Sequence, residues 1–477
     1  MNLTRTLLAA LVPMVALAAP CTFAADAPAS GLAPLAPADD APLTQKETMQ
    51  LRQLLEKQSA SSAKASQQAS GAPSLSSDDQ AKALHSLMKD SWFEKLSIRG
   101  YLQVRSYSLL GKDDKAKNLA VPNDRFVKEA ESIGIRRGRL ILSGDATNHL
   151  YVYAQADFHG SVGPSGGDSG LQMRDYYGDI SIDEKKEFRF RVGESKVPFG
   201  FVNLQSSQNR APLERPDALN SACEGERDLG VYFLWAPEAK RKMFKELVSS
   251  GLKGTGDYGV LSAGAYSGQG LNRSDVNGDF HYIARASCPF ELENGQVFEV
   301  GIQGYTGNFA VPKTEGYRMN NAAVAAPNRD TAGLTDRRAA ATFVWYPQPL
   351  GFEAEWQVGE GPELNTGTNT IEVQSLSGGY AMVNYRIKAD GMEYLPFVRY
   401  SMYKGGRKFA TNAPNSEVSE LDVGLEFSPW KEVELTVQYT HTFDRYNTTD
   451  VGSGKRDAYN NLASGADRLG VQCQINF

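Results

Sequence analysis

The chain has 477 residues, 50 Lys and Arg against 56 Asp and Glu, a formal net charge of −6 and 41% hydrophobic residues. That length accommodates two or three ordinary soluble domains or one large all-β domain. An acidic chain with no block of Lys and Arg is a poor partner for nucleic acid, and four cysteines, one of them in the leader, cannot make a disulfide-stapled scaffold.

Residues 1–25 read as a secretory signal peptide: Arg5, an apolar run from Leu7 to Ala19, then small residues, with cleavage near Ala24 or Ala25. The run is shorter than the roughly 20 residues a membrane helix needs, and no other stretch approaches that length. Its removal takes away Arg5 and no acid, so the charge falls from −6 to −7. Residues 26–95 form a low-complexity linker of Ala, Pro, Ser and Gln, interrupted by "LTQKETMQLRQLLEKQ" at 43–58, whose Leu spacing predicts a short amphipathic helix.

From Leu96 to Phe477 the helical period gives way to alternation. In "LSIRGYLQVRSY", Leu96, Ile98, Leu102 and Val104 oppose Arg99, Gln103 and Arg105, and the same rhythm returns at 150–158, 188–192, 352–358 and 421–427. Such segments are about 10 residues long, the length a tilted strand needs to cross a bilayer. About sixteen can be counted, starting near 96, 134, 149, 171, 187, 228, 257, 279, 296, 335, 350, 376, 392, 417, 431 and 466. Links after odd strands are long (110–133, 159–170, 197–227, 268–278, 306–334, 359–375, 405–416 and 444–465), and most links after even strands are short. The exception, 237–256, reads as a short helix with a glycine-rich continuation. Trp92, Trp235, Trp345 and Trp430 all fall at the short-link ends, where an aromatic girdle belongs. The fold expected is an all-β transmembrane antiparallel barrel over 96–477, closed by pairing the terminal "RLGVQCQINF" with the first strand. Cys288 and Cys473 then face lipid.

Enzyme chemistry finds little support: HExxH, GxSxG, CxxC and a phosphate-cradling Gly-rich loop are all missing, the five histidines show no metal-ligand spacing, and no cofactor is called for. "DVNGD" at 275–279 has a calcium loop's acids with its glycine misplaced, and reads as a polar surface loop.

The chemically dense stretch is "VGESKVPFGFVNLQSSQNRAPLERPDALNSACEGERDLGVYF". Gly193, Lys196, Pro198, Phe199, Gly200, Ser206, Ser207, Glu214, Arg215, Gly230 and Val231 resemble the pattern of the phosphate-selective porin O and P family, and "IRRGRLILSGDATNHLYVYAQADF" at 135–158 is similar to that family's second and third strands. The resemblance spans about 96–477 and is specific in 135–232. It implies an outer-membrane homotrimer of sixteen-stranded barrels embedded in lipid, each with link 197–227 folded inward as a constriction carrying Lys196, Arg210, Glu214, Arg215 and Arg227. It also implies passage of small anions, phosphate especially, which guanidinium groups can desolvate by paired hydrogen bonds.

Alternation by itself points Arg99, Arg105, Arg189, Arg191, Arg285, Arg386 and Arg399 into the lumen, together with Arg137 or Arg139, or their neighbour Arg136, where the pattern breaks. Asp157, Glu299, Glu353, Glu355, Asp422, Glu426 and Glu434 point the same way. One wall is thus mostly basic and another acidic, a distribution that also fits a general-diffusion porin without anion preference. A plugged structural or adhesive barrel is the third reading.

Overall fold

The structure is a computed structural model that describes residues 95–110, 132–159, 170–319, 322–447 and 466–477. The leader, the 43–58 helix, Trp92 and the links at 111–131, 160–169 and 448–465 lie outside the described residues.

Sixteen antiparallel strands close into one barrel: β1 Leu96–Leu110, β2 Ser132–Asp145, β3 Leu150–His159, β4 Gly170–Ser181, β5 Phe188–Lys196, β6 Arg227–Trp235, β7 Leu261–Tyr266, β8 His281–Glu291, β9 Val297–Phe309, β10 Leu334–Trp345, β11 Leu350–Asn365, β12 Thr370–Tyr385 continued by Ile387–Ala389, β13 Met392–Gly406, β14 Asn415–Trp430, β15 Val433–Asn447 and β16 Ala466–Asn476. Each strand pairs with its sequence neighbours, and β1 pairs with β16 from Tyr101↔Asn476 to Leu110↔Asp467, so no edge is left open. Phe477 completes the seam by exchanging backbone hydrogen bonds with Gly100 at 2.8 and 3.0 Å. Gly100 is required there, because a Cβ would lie 2.3 Å from the Arg139 carbonyl and 2.6 Å from the Phe477 ring.

The period-two pattern sorts the faces. Ile98, Leu140, Phe190, Val231, Val398, Val471 and Ile475 are exposed on the outside, while their neighbours Arg139, Arg191, Tyr232, Arg399, Gln472 and Gln474 are buried within. Cys288 and Cys473 are unpaired and half-buried on the outer face. Trp235, Trp345 and Trp430 end β6, β10 and β14, and the first two join ring clusters with Phe188 and Phe298 at 6.4 and 6.2 Å.

Two links differ from the sequence-based expectation or extend it. The sixth long link, expected at 359–375, is instead a turn at 366–369, because β11 and β12 continue in register from Leu350↔Tyr385 to Asn365↔Thr370. Beyond the lipid a strand needs no apolar face, so "GEGPELN" carries no alternation while remaining paired. The 237–256 segment holds helix α3, Glu238–Ser249, which buries Phe244 and Leu247, so strand β7 begins at Leu261. A small hairpin, Tyr317–Met319 with Ala322–Val324, sits in the link between β9 and β10. The 275–279 loop is a chain of Asn and Asp turns, with Asp275 accepting from the Asn277 and Gly278 amides.

Candidate functional site

Link 197–226 is held to strands on opposite sides of the barrel. It begins with the single-turn helix α1, Phe201–Leu204, whose Phe201 and Val202 amides donate to the Glu355 carboxylate on β11 at 2.9 and 3.2 Å. Gly200, at φ 84°, lets the chain turn into that contact, since a Cβ there would sit 3.0 Å from a Glu355 oxygen. The Ser207 hydroxyl meets Tyr101 of β1 at 2.7 Å and accepts from Arg139 of β2 at 2.9 Å. The Gln208 carbonyl accepts from Gln474 of β16, the Leu213 amide donates to Gln438 of β15, and the Glu214 carbonyl accepts from Arg399 of β13. Near the second single-turn helix, α2 (Asp217–Asn220), the Ser221 hydroxyl accepts from Arg338 of β10 at 2.7 Å.

Apolar side chains fill the contact on one wall. Val197, Phe199, Val202, Ala218 and Leu219 of the link pack in one buried cluster with Leu376, Tyr380 and Met382 of β12 and Leu395 and Phe397 of β13. Each large buried side chain contributes about 1.5–3 kcal/mol to keeping the segment inside.

The arginines singled out from the sequence fall into two groups. Arg99 is exposed and has no ion pair among the described residues. The other eight each meet a carboxylate: Arg105 and Arg137 meet Glu214 at 2.5 and 3.3 Å, Arg139 meets Asp157 at 3.0 Å, Arg189 meets Asp257 at 2.7 Å and Arg191 meets Asp179 at 2.7 Å. Arg285 lies 3.4 Å from Glu299, while Arg386 and Arg399 pair with Glu393 and Asp422 at 2.7 Å. All but Arg99 and Arg386 are buried.

The residues expected in the constriction divide in the same way. The Lys196 ammonium donates to the Leu204 and Gln205 carbonyls at 2.9 and 2.7 Å and so fixes the end of α1. Arg215 pairs with Glu226 at 2.5 Å, and Arg227 bridges Glu226 and Asp175. Glu214 is met by Arg136 at 2.8 Å as well as by Arg105 and Arg137. Burial opposes the Glu214 charge, yet Arg136, Arg137, Arg105 and Arg210 outweigh it and hold its carboxyl well below the usual carboxylate range. Arg210 itself is buried, and none of its three guanidinium nitrogens has a hydrogen-bond partner among the described residues. Burial, followed by the like charges of Arg215 and Arg137, lowers its pKa well below the ordinary arginine value.

Residues 115–472 match the profile of the phosphate-selective porin O and P family. The chain belongs to that family. It is therefore an outer-membrane channel of the porin type. No curated protein sequence matches it significantly. Solved structures similar to this porin include OmpT, an outer membrane protein of Vibrio cholerae (11% identity, 80% of this chain and 97% of that one, TM-score 0.48). They also include the outer membrane channel DcaP of Acinetobacter baumannii (13%, 80% and 97%, 0.47) and an anion-selective porin from Comamonas acidovorans (12%, 80% and 99%, 0.40).

Other interior features of this porin escaped the sequence reading. The segment after α3 enters from the periplasmic end, where Lys253 pairs with Glu426 of β14 and Glu434 of β15. Its backbone carbonyls, at Lys253 and Gly254, accept from Gln205 and Asn209 of the inward link, both at 2.6 Å. At the opposite end Lys408, from the link between β13 and β14, pairs with buried Asp336 and lies 4.8 Å from the centroids of the Phe309 and Phe409 rings. His281 is 3.4 Å from the same carboxylate. For the apolar packing of the inward link against β12 and β13 a sequence sign did exist. "YAMVNY" and "YLPFVRY" are apolar on both faces, which a water-facing inner wall would not need.

Proposed function

We propose that this porin passes small hydrophilic solutes passively with a lean towards anions, phosphate among them. The observation that supports the lean is Arg210 of the inward link, whose buried guanidinium has no hydrogen-bond partner among the described residues, while neighbouring Glu214 is already met by Arg105, Arg136 and Arg137. Excess guanidinium charge in a narrow passage raises the local concentration of anions and offers paired donors to an oxyanion. Arg210 is the residue to change, because it meets no acid by direct contact among the described residues. Reversal potentials in a potassium chloride gradient should show moderate anion selectivity, and Arg210→Gln should move them towards cation selectivity in a folded barrel. An unshifted potential would remove Arg210 from the conducting path.

A second reading is a barrel that conducts little. The inward link, the Lys253 segment and the Lys408 link all occupy interior positions, and most inward arginines are buried against them. Unitary conductance in a planar bilayer separates the readings, since a plugged barrel gives none. We further propose that the protein assembles as a trimer, after removal of residues 1–25, with the 43–58 helix associating between protomers; cross-linking in detergent with and without residues 26–90 tests this.

A further inference from the structure

On the inner wall near the periplasmic end, planar side chains from three strands and the link before β7 line up. Tyr153 of β3 and Tyr177 of β4 are cross-strand partners, and their rings stack at 5.1 Å with only 11° between planes. The far face of Tyr177 is covered by the Arg191 guanidinium at 4.0 Å, and Tyr258 follows 5.2 Å from Arg191. Arg191 is itself fixed by two hydrogen bonds to Asp179, at 2.7 and 2.9 Å. The column is thus closed at that end.

At the other end no strand neighbour closes it. The strand positions beside Tyr153 are Ser143 of β2 and, one strand further, Ser97 of β1, so among the described residues only the Arg99 guanidinium reaches over the ring on that side. The two serines are joined to each other by a 3.1 Å bond from the Ser97 hydroxyl to the Ser143 carbonyl. Above this low floor the Arg99 guanidinium stands 6.0 Å from the Tyr153 centroid, exposed and without a carboxylate partner among the described residues. Two stacked planar groups sit about 3.5–4 Å apart, so a modest swing of a free arginine opens room for one more ring. Arg99 also borders a cavity of about 900 Å³ at the periplasmic mouth, shared with Lys253, Arg386, Glu393, Glu434 and Phe477.

We infer that this slot binds aryl carboxylates: a flat aromatic ring lies on the open face of Tyr153 over Ser143 and Ser97, and its carboxylate pairs with Arg99. The chemistry selects for both features. A stacked ring without charge leaves Arg99 unpaired, and an aliphatic carboxylate leaves Tyr153 unstacked. Asp145 and Lys186, which pair with each other at 2.6 Å at the nearby turn, and Asp179, held by Arg191, supply no free charge to compete.

The inference rests on the reading of the barrel as a solute pore, and its test separates the two. In planar bilayers the full-length protein is titrated with benzoate and with cyclohexanecarboxylate, which match in charge and size but differ in flatness. Benzoate should block current at a roughly three- to tenfold lower concentration. Tyr153→Leu should bring the two blockers together, and Arg99→Gln should weaken benzoate by a similar factor, each measured against that variant's own open current. Equal block by the two acids in the unaltered protein overturns the slot, as does a benzoate preference that survives Tyr153→Leu. A folded barrel that carries no current instead removes the pore reading. Calorimetric titration of the same two acids in detergent then decides the slot, with a benzoate preference supporting it and equal or absent binding overturning it.

Discussion

Glu214 illustrates how much depends on one carboxylate among several cations. Replacing it with Gln leaves Arg105, Arg136 and Arg137 facing one another without their shared acid, and breaking a buried pair of this kind costs about 3–5 kcal/mol. The inward link should loosen before the strands do, so Glu214→Gln is expected to raise protease cleavage within 205–216 and add current noise while the barrel band in gels persists. Because the native carboxyl titrates below its unfolded value, the unfolded link binds more protons in acid. The contribution is complete above the ordinary glutamate value of about 4.3 and is lost as pH falls through the lower native value. Cleavage of the link in the unaltered protein should therefore stay flat from pH 8 to about pH 5 and rise only in stronger acid; a rise near neutrality would contradict the assignment.

Alternation within a spanning strand assigned a face to Arg105, Arg189, Arg191, Arg285 and Arg399, which are buried, but left Arg136, Arg137 and Arg139 open, where β2 pairs with β1 across a bulge. What each arginine touches was not legible at this scale. Arg191 meets Asp179 and Arg189 meets Asp257 through strand register and a link that re-enters the barrel, neither of which local sequence encodes. A double change of Arg189 and Arg191 to Glu would gather four carboxylates there, so it is a poor probe of ion selectivity and a strong perturbation of the wall.

Among elements, the Lys253 segment and the β1–β16 seam make opposite predictions. Burial disfavours the Lys253 charge, but Glu426 and Glu434 raise its pKa above the usual lysine value, which marks a firmly held contact. Lys253→Met should release residues 250–257 from the wall and enlarge the unitary conductance; an unchanged conductance would show that this segment does not obstruct flow. Gly100→Val should act on assembly instead. Its side chain collides with the Arg139 carbonyl and the Phe477 ring, so a smaller fraction of refolded protein should reach the heat-modifiable form on gels. Strand positions were readable where lipid enforces alternation, as the starts at Leu96, Leu350, Met392 and Ala466 show. The hairpin at 366–369 lay beyond that constraint, and there the polar "GEGPELN" reads as a loop although it is paired up to Asn365.

For the whole molecule, the first strand begins at Leu96, and residues 26–95 are rich in Ala, Ser and Gln that cannot bury a core. A chain beginning at residue 90 is expected to refold in detergent into a heat-modifiable band as efficiently as the full chain, and failure to do so would assign that region a part in barrel formation. The inward link also has a mechanical meaning. A sixteen-stranded sheet rolled into a tube resists stretching along its hydrogen bonds but flattens readily under sideways load. A chord tied to β1 and β2 at one side and to β10 and β11 at the other acts as a strut across that tube. The bore of this porin should thus hold its width when bilayer thickness or lateral tension changes, and its conductance should vary little between short- and long-chain lipids until the strut is cut.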